Sequence, residues 1–251
     1  MHTPTETIAV LSDIHGNTWA LDAVLGHARD HGATRVITLG DIAYGPLDPG
    51  GVVERLRSLD LPAIHIAGNQ DRIIWEAFKD SQRWASLDFT RSSLSEAQMD
   101  WLQSLPPEIV SDGMRLCHGS PSNDDEYLLA AVNETGLHLR LLTDVIHKLE
   151  GVEQSVVLCG HSHLPACVRT PAGLLVVNPG SVGLQAFSED TPWPHLVENR
   201  SPHARYALMQ RGPQGWDVAQ VAVTYDWEAA ARVAESNHRP DWARVLRSGW
   251  V

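Results

Sequence analysis

Asp13 and His15 stand two residues apart, beside Gly16, where the apolar run Ile8-Ala9-Val10-Leu11 gives way to a helix-like segment from Trp19 to Leu25. A carboxylate and an imidazole at that spacing can turn into one crevice, and the carboxyl end of a strand is where open α/β sheets bind ligands. Four later stretches repeat the design. Arg35-Val36-Ile37-Thr38-Leu39 ends at Gly40-Asp41, and Ala63-Ile64-His65-Ile66 ends at Gly68-Asn69-Gln70-Asp71. Met114-Arg115-Leu116-Cys117 ends at His118-Gly119, and Ser155-Val156-Val157-Leu158-Cys159 ends at Gly160-His161-Ser162-His163. Taken singly, these signals are weak, because a histidine at a strand end is commonly a hydrogen-bonded structural residue and an aspartate after glycine commonly caps a turn. As an ordered set, the seven oxygen and nitrogen donors Asp13, His15, Asp41, Asn69, His118, His161 and His163, with no thiolate among them, describe a site for two hard or borderline divalent cations.

The elements that must position them alternate strand and helix with short connections, which points to an α/β fold with a mostly parallel sheet and helices on both faces. Residues 19–30 place Ala20, Leu21, Val24, Leu25 and Ala28 on one helical face, and Val52 to Leu59 reads as a second helix. Residues 71–105 read as mostly helical, with Trp75, Trp84 and Trp101 as core or cap packing and Ser95 opening the last helix. The run Asn123-Asp124-Asp125-Glu126-Tyr127 reads as a solvated acidic loop, followed by a helix with Leu141, Leu142, Val145, Ile146 and Leu149 on one face. Ala166 to Thr170 and Leu174 to Val177 flank Pro171-Ala172-Gly173 as a hairpin and run into Asn178-Pro179-Gly180-Ser181. The polar, Pro-rich residues 188–203 read as an exposed loop able to cover a site, and an antiparallel edge is expected at Tyr206 to Met209 and Trp216 to Val223. Two helices, from Asp226 and from Asp241, end the chain. The division expected is therefore residues 1–225 as the main domain and 226–251 as a helical extension packed on it.

Composition narrows the partners. A formal net charge of −12 argues against a general nucleic-acid or anionic-membrane binder, which needs a basic footprint. It leaves a phosphate substrate open, because bound divalent cations reverse the local sign. Three cysteines are too few for a disulfide framework and fit a reducing, cytoplasmic compartment. The N-terminus has neither the basic nor the apolar region of a secretion signal, and no apolar window is long enough to span a membrane.

Asp13-x-His15, Gly40-Asp41, Gly68-Asn69, His118 and Gly160-His161-x-His163, in this order, resemble the calcineurin-like metallophosphoesterases. Leu11-Ser12-Asp13-Ile14-His15-Gly16-Asn17, Gly160-His161-Ser162-His163 and Asn178-Pro179-Gly180-Ser181 are similar to the compact bacterial and archaeal phosphodiesterase branch, over roughly residues 7–183. The resemblance implies a four-layer αββα sandwich of two mixed β-sheets flanked by helices. It implies one ion held by Asp13, His15, His163 and a shared Asp41, and a second held by Asp41, Asn69, His118 and His161. Manganese is the first expectation for the pair, with iron, zinc or nickel as alternatives. A shared carboxylate pins two ions about 3.5–4 Å apart, the spacing that clamps attacking and leaving oxygens of an in-line displacement. Hydrolysis of a small phosphate ester or nucleotide would then proceed by attack of a metal-bridging hydroxide, with no covalent phosphoenzyme.

The sequence departs from the family at one position. Gly68-Asn69-Gln70-Asp71 carries Gln70 where a histidine usually follows the asparagine and donates a proton or hydrogen bond at the phosphate or leaving group. Glutamine donates a neutral hydrogen bond but is no general acid, a contribution worth about 10²–10⁴-fold where it operates. Asn69 and Gln70 are thus the candidate catalytic residues, and Asn17 and Arg72 are weaker candidates for substrate contact. His65 reads as structural, and His27, His31, His138, His147, His195, His203 and His238 as ordinary. A phosphodiesterase is the leading expectation, because few Lys or Arg lie beside the motifs to meet the extra charge of a monoester. A phosphomonoesterase, a phosphoprotein phosphatase or a dinucleoside polyphosphate hydrolase shares the same site, and a non-catalytic scaffold on the same fold is the alternative of another class.

Overall fold

The strands read from the sequence assemble into two sheets, as the family resemblance implies. The computed structural model describes residues 6–76 and 85–251, so Trp84 and the first five residues lie outside the described part. The first sheet runs β14-β13-β1-β2-β3, from β1 (Thr7–Leu11), β2 (Arg35–Thr38), β3 (Ala63–His65), β13 (Ala204–Gly212) and β14 (Gly215–Val223). The second runs β4-β5-β8-β10-β9, from β4 (Glu108–Ser111), β5 (Met114–Cys117), β8 (Val156–Leu158), β9 (Ala166–Arg169) and β10 (Leu175–Asn178). Both are mixed. β1, β2 and β3 are parallel, as are β5, β8 and β10, while β13 and β14 close one sheet and β4 and β9 edge the other in antiparallel pairing. Strand–helix alternation alone points to a largely parallel sheet; the two mixed sheets are those the resemblance implies, and the expected 166–177 hairpin and 206–223 antiparallel edge supply β9–β10 and β13–β14.

The period-2 pattern explains the layers. Ile8 and Val10 of β1 face Leu116, Leu158 and Val177 of the other sheet in a core between the two sheets. Ala9 and Leu11 face outward onto α1 (Thr18–Asp30), α2 (Pro49–Arg57), α7 (Trp227–Ser236) and α8 (Pro240–Ser248). On the far side Val157 and Val176 pack on Val145 of α6 (Leu142–Lys148). The result is the four-layer αββα sandwich. Short α3 (Asn69–Trp75), α4 (Ala85–Ser93) and α5 (Glu96–Ser104) complete the helical layer, with Trp75 and Trp101 against its core. No helix among the described residues is long and apolar enough to cross a membrane.

Three local readings change. The chain between the acidic loop and α6 forms a hairpin, β6 (Ala130–Asn133) and β7 (Gly136–Leu139). α6 then buries Val145, while Leu141 and Ile146 stay exposed at 69% and 41%. The expected loop 188–203 contains part of another hairpin, β11 (Ala186–Glu189) and β12 (His195–Glu198), in which Phe187 pairs with Val197. β4, unread in the sequence, pairs with β5 through a two-residue turn at Asp112-Gly113, both at positive φ.

Candidate metal centre and its cavity

The ladder of the first sheet continues past its strands. Asp13 N–H donates to Gly40 O at 3.1 Å, His15 N–H to Asp41 O at 2.9 Å and Gly16 N–H to Ile42 O at 3.0 Å. The two strand ends therefore turn together, and they turn sharply. Asp13, His15, Asp41, His161 and His163 all have φ between 51° and 64°, the left-handed region. A non-glycine residue there costs about 1–2 kcal/mol, and such strain persists where surrounding structure over-determines it, typically at functional sites. Space is equally tight: a Cβ on Gly40 would fall 2.4 Å from Gly68 N, and one on Gly68 would fall 2.2 Å from Asp41 Oδ1.

These turns bring the seven sequence-selected residues to one place. Donor atoms of Asp13, His15 and His163 lie within 4.8 Å of one another, and so do those of Asp41, His118 and His161. Asp41 Oδ2 reaches both groups, 3.4 Å from His118 Nε2 and 3.9 Å from His15 Nε2. Backbone carbonyls fix the rings. Nδ1–H of His15 donates to Tyr44 O at 3.1 Å, that of His118 to Leu39 O at 2.7 Å and that of His163 to Leu184 O at 2.7 Å. Because a carbonyl only accepts, Nδ1 carries a proton and each Nε2 faces inward, the usual orientation of a ligating histidine. His15 Nε2 and His163 Nε2 then stand 3.2 Å apart.

Cations fit this arrangement. Asp13 Oδ1, Asn69 Oδ1 and His118 Nε2 are buried and have no hydrogen-bond partner, and all three belong to the selected set. Buried polar atoms are normally paired, so two orphaned oxygens and an unpartnered ring nitrogen, divided between the two groups, mark a place for positive charge. Asn69 is held by Asp125, which accepts from its Nδ2 at 2.9 Å and leaves Oδ1 facing inward. Asp71, fully buried, accepts from the backbone N–H groups of Ile42, Ala43 and Gly68, and so joins the loops that carry Asp41 and Asn69.

The electrostatics follow from burial and neighbours. Burial alone would raise Asp41 and Asp13, but the surrounding imidazoles hold both carboxyls below the usual range: His118, His15 and His161 around Asp41, His163 and His118 around Asp13. Burial opposes charge on His118, yet Asp41 and Asp13 raise it to about 10. Burial, reinforced by His163, lowers His15 to about 4, and burial with His118 does the same for His161. Burial and then the Asp41 charge push Asp71 up to about 7.

Above the cluster opens a cavity of about 720 Å³ with Asp41, Asn69, Gln70, His161 and His163 on its floor. Gln70 Oε1 has no hydrogen-bond partner, and Gln70 N–H donates to Asp41 Oδ1 at 2.9 Å. Two weaker expectations do not reach the cavity. Asn17 caps α1 through Ala20 N–H at 3.0 Å and donates to Gly183 O at 3.0 Å, fully buried away from the lining. Arg72 is paired with Asp124 at 2.9 Å and with Glu76 at 3.2 Å. The acidic loop, expected as plain surface, is a wall: Asp125 holds Asn69 and Tyr127 lies 4.9 Å from the His161 ring. His195, expected to be ordinary, meets the Tyr127 hydroxyl at 3.0 Å through Nε2. Phe187 of β11 packs edge-on to His163 at 4.7 Å, and Arg140, Arg239, Trp242 and Arg244 also line the cavity. The acidic loop had a legible signal, since it follows His118 within ten residues; the arginines of residues 239–244 had none.

A model of the calcineurin-like phosphoesterase superfamily domain matches residues 7–192. A protein of Methanocaldococcus jannaschii whose function is uncharacterized is 25% identical over 249 aligned residues, covering 94% of each chain. A crystal structure of a metallophosphoesterase from Sphaerobacter thermophilus superposes with a TM-score of 0.77 at 23% identity, covering 98% of this chain and 99% of that one. A hypothetical protein from Pyrococcus horikoshii superposes with a TM-score of 0.74 at 22% identity, covering 97% and 98%. The two structures share the fold of this chain over nearly its whole length.

Proposed function

The chain belongs to the calcineurin-like phosphoesterase superfamily, and from that premise we propose that it is a dinuclear-metal phosphodiesterase acting on small phosphate esters or nucleotides. One observation carries this reading: two groups of metal-competent donors, each with orphaned or inward-facing atoms, share the reach of Asp41. Asp13, His15 and His163 would hold one divalent ion and Asn69, His118 and His161 the other. When bound, such a pair supplies Lewis acidity toward phosphate oxygens and a water acidified into the neutral range.

The chain's own residues do the rest. Carbonyls of Tyr44, Leu39 and Leu184 hold the imidazoles in the ligating tautomer. Asp125 and Asp71 orient the Asn69 and Asp41 loops, and Gln70 offers an amide N–H but no acidic proton. Support for a diester shifts in three dimensions. The scarcity of cations beside the motifs does not hold for the folded site, where Arg140, Arg239 and Arg244 line the cavity. The diester reading rests instead on the size of the cavity, walled on more than one side and far larger than one phosphate, with room for two substituents. A donor set of oxygen and nitrogen without sulfur is compatible with manganese, iron, zinc or nickel, and manganese is the first of these to test. Free Cys117, Cys159 and Cys167 support a reducing, cytoplasmic setting.

The test is elemental analysis of the purified protein paired with an activated diester and monoester panel across Mn²⁺, Zn²⁺, Fe²⁺ and Ni²⁺. Two metal equivalents and faster diester hydrolysis are expected. Faster monoester hydrolysis would refute the diester assignment, and bound metal with no hydrolysis of either would identify a scaffold.

A further inference from the structure

The cavity has a wall that the family match, ending at residue 192, does not reach. It is α8, and Trp242 fixes it to the metal cluster, its ring edge-on to His15 with centroids 6.0 Å apart. The charges of the lining are unevenly satisfied. Asp241 is bound by Arg239, Glu126 by Lys148, and Asp125 by the Asn69 amide. Glu189 accepts the backbone N–H groups of Asp190 and Thr191. Arg239 aside, the lining arginines have no carboxylate within ion-pair distance among the described residues. Among the described residues Arg140 donates only to the carbonyls of Leu128 and Tyr127. Arg244 is exposed at the cavity, and among the described residues its guanidinium has neither an ion pair nor a hydrogen bond. A floor that accepts one phosphate therefore lies beneath a wall presenting an unspent cation.

Resting on the phosphoesterase reading above, we propose that Arg244 binds a second phosphoryl group of the substrate and that the bond cleaved is a phosphoanhydride, with a phosphate as the leaving group. Gln70 explains the choice of bond. An alkoxide leaves slowly without a proton, and position 70 has none to give. A phosphate leaves as a weak base, its second ionisation near about 6. The oxygen of water forms the new bond to phosphorus, the bridging P–O bond breaks, and its electron pair departs on the bridging oxygen. The proton of the water passes to solvent. A phosphorus flanked on both sides remains a diester, so the cavity's room for two substituents is used. A guanidinium is suited to the departing group because its planar fork meets phosphate oxygens two at a time.

The experiment compares three substrates on the metal-loaded protein: diadenosine triphosphate, with a phosphate leaving group; a dinucleoside monophosphate, with an alkoxide; and bis(p-nitrophenyl) phosphate, with an activated aryl oxide. Diadenosine triphosphate is expected to be cleaved at least about 100-fold faster than the dinucleoside monophosphate, within the range that general acid catalysis spans. Arg244→Ala should raise its KM about tenfold, the loss of a charge-assisted contact, and raise that of bis(p-nitrophenyl) phosphate several-fold less, with Arg244→Lys recovering part of the difference. Gln70→His should accelerate the dinucleoside monophosphate more than diadenosine triphosphate. Calorimetry without turnover gives an independent reading: inorganic pyrophosphate should bind more tightly than phosphate, and Arg244→Ala should abolish that preference. Equal KM effects on all substrates, or no pyrophosphate preference, would overturn the proposal. Hydrolysis of none of the three with the Arg244-dependent preference intact would overturn the phosphoesterase reading and leave the second-anion site standing.

Discussion

Asp41 Oδ2 lies 3.4 Å from His118 Nε2 and 3.9 Å from His15 Nε2, so one carboxylate faces the imidazoles of both donor groups, whereas His15 Nε2 comes nearest to His163 Nε2 of its own group, at 3.2 Å. Asp41→Asn should therefore lower occupancy of both metal positions and His15→Ala chiefly one, as read by elemental analysis. Wild-type metal content in Asp41→Asn would contradict the shared role. The protonation states add a second expectation. At pH 7 without metal, His118, raised to about 10, carries a proton, while His15 and His161, lowered to about 4, are neutral. A ligating imidazole must be neutral, so loading at pH 7 expels the His118 proton, and affinity should climb with pH until about 10. Titration calorimetry in buffers of different ionisation enthalpy should record about one proton released per metal pair; release of none would show that His118 is not a ligand.

At the scale of elements, the site depends on loops being held against one another. Asp71 sits one turn into α3 and accepts N–H groups from the loop after β2 and from Gly68 before α3. Asp71→Ala would leave these buried donors unpaired, each at about 1–3 kcal/mol. Urea unfolding should show a loss of at least about 2 kcal/mol, accompanied by weaker metal binding, because the Asp41 and Asn69 loops lose their common anchor. Asp71→Asn, which keeps one acceptor oxygen, should recover part of both. An unchanged unfolding midpoint in Asp71→Ala would rule out this joining role. The hairpins work differently. β11 places Phe187 on His163, and His195 of β12 meets Tyr127, so the cover of the cavity joins a hairpin to the acidic loop from another part of the chain.

Across the whole molecule, the metal floor and the cavity wall come from opposite ends of the sequence. The floor belongs to the strand ends of the two stacked sheets, and the wall belongs to α8, held by the fully buried Leu246. Leu246→Ala should cost about 2–5 kcal/mol and raise KM by loosening α8, with metal content unchanged by elemental analysis. Loss of metal in this variant would show that floor and wall are not separable.

The seven donors, their strand ends and the helices that follow were legible because each signal is local: an apolar run, a glycine or aspartate turn, then a helical period. Even the cap at Asn17 obeys a local rule, asparagine just before a helix. Local signals do not report which segments meet. The stacking of two sheets, with Ile8 and Val10 on one face of β1 and Ala9 and Leu11 on the other, decides that five distant turns share one point. The β6–β7 and β11–β12 hairpins owe their place to contacts with each other and with the site, since β7 packs on β12. Arg244 resembles any surface arginine in the sequence, and only the return of α8 over the first sheet sets it at the cavity. The sequence by itself determined the chemistry of the floor, because ligand type and turn geometry are properties of neighbouring residues. The tertiary structure decided the shape and charge of the space above it, because those depend on chain segments that burial of apolar faces brings together from more than 200 residues apart.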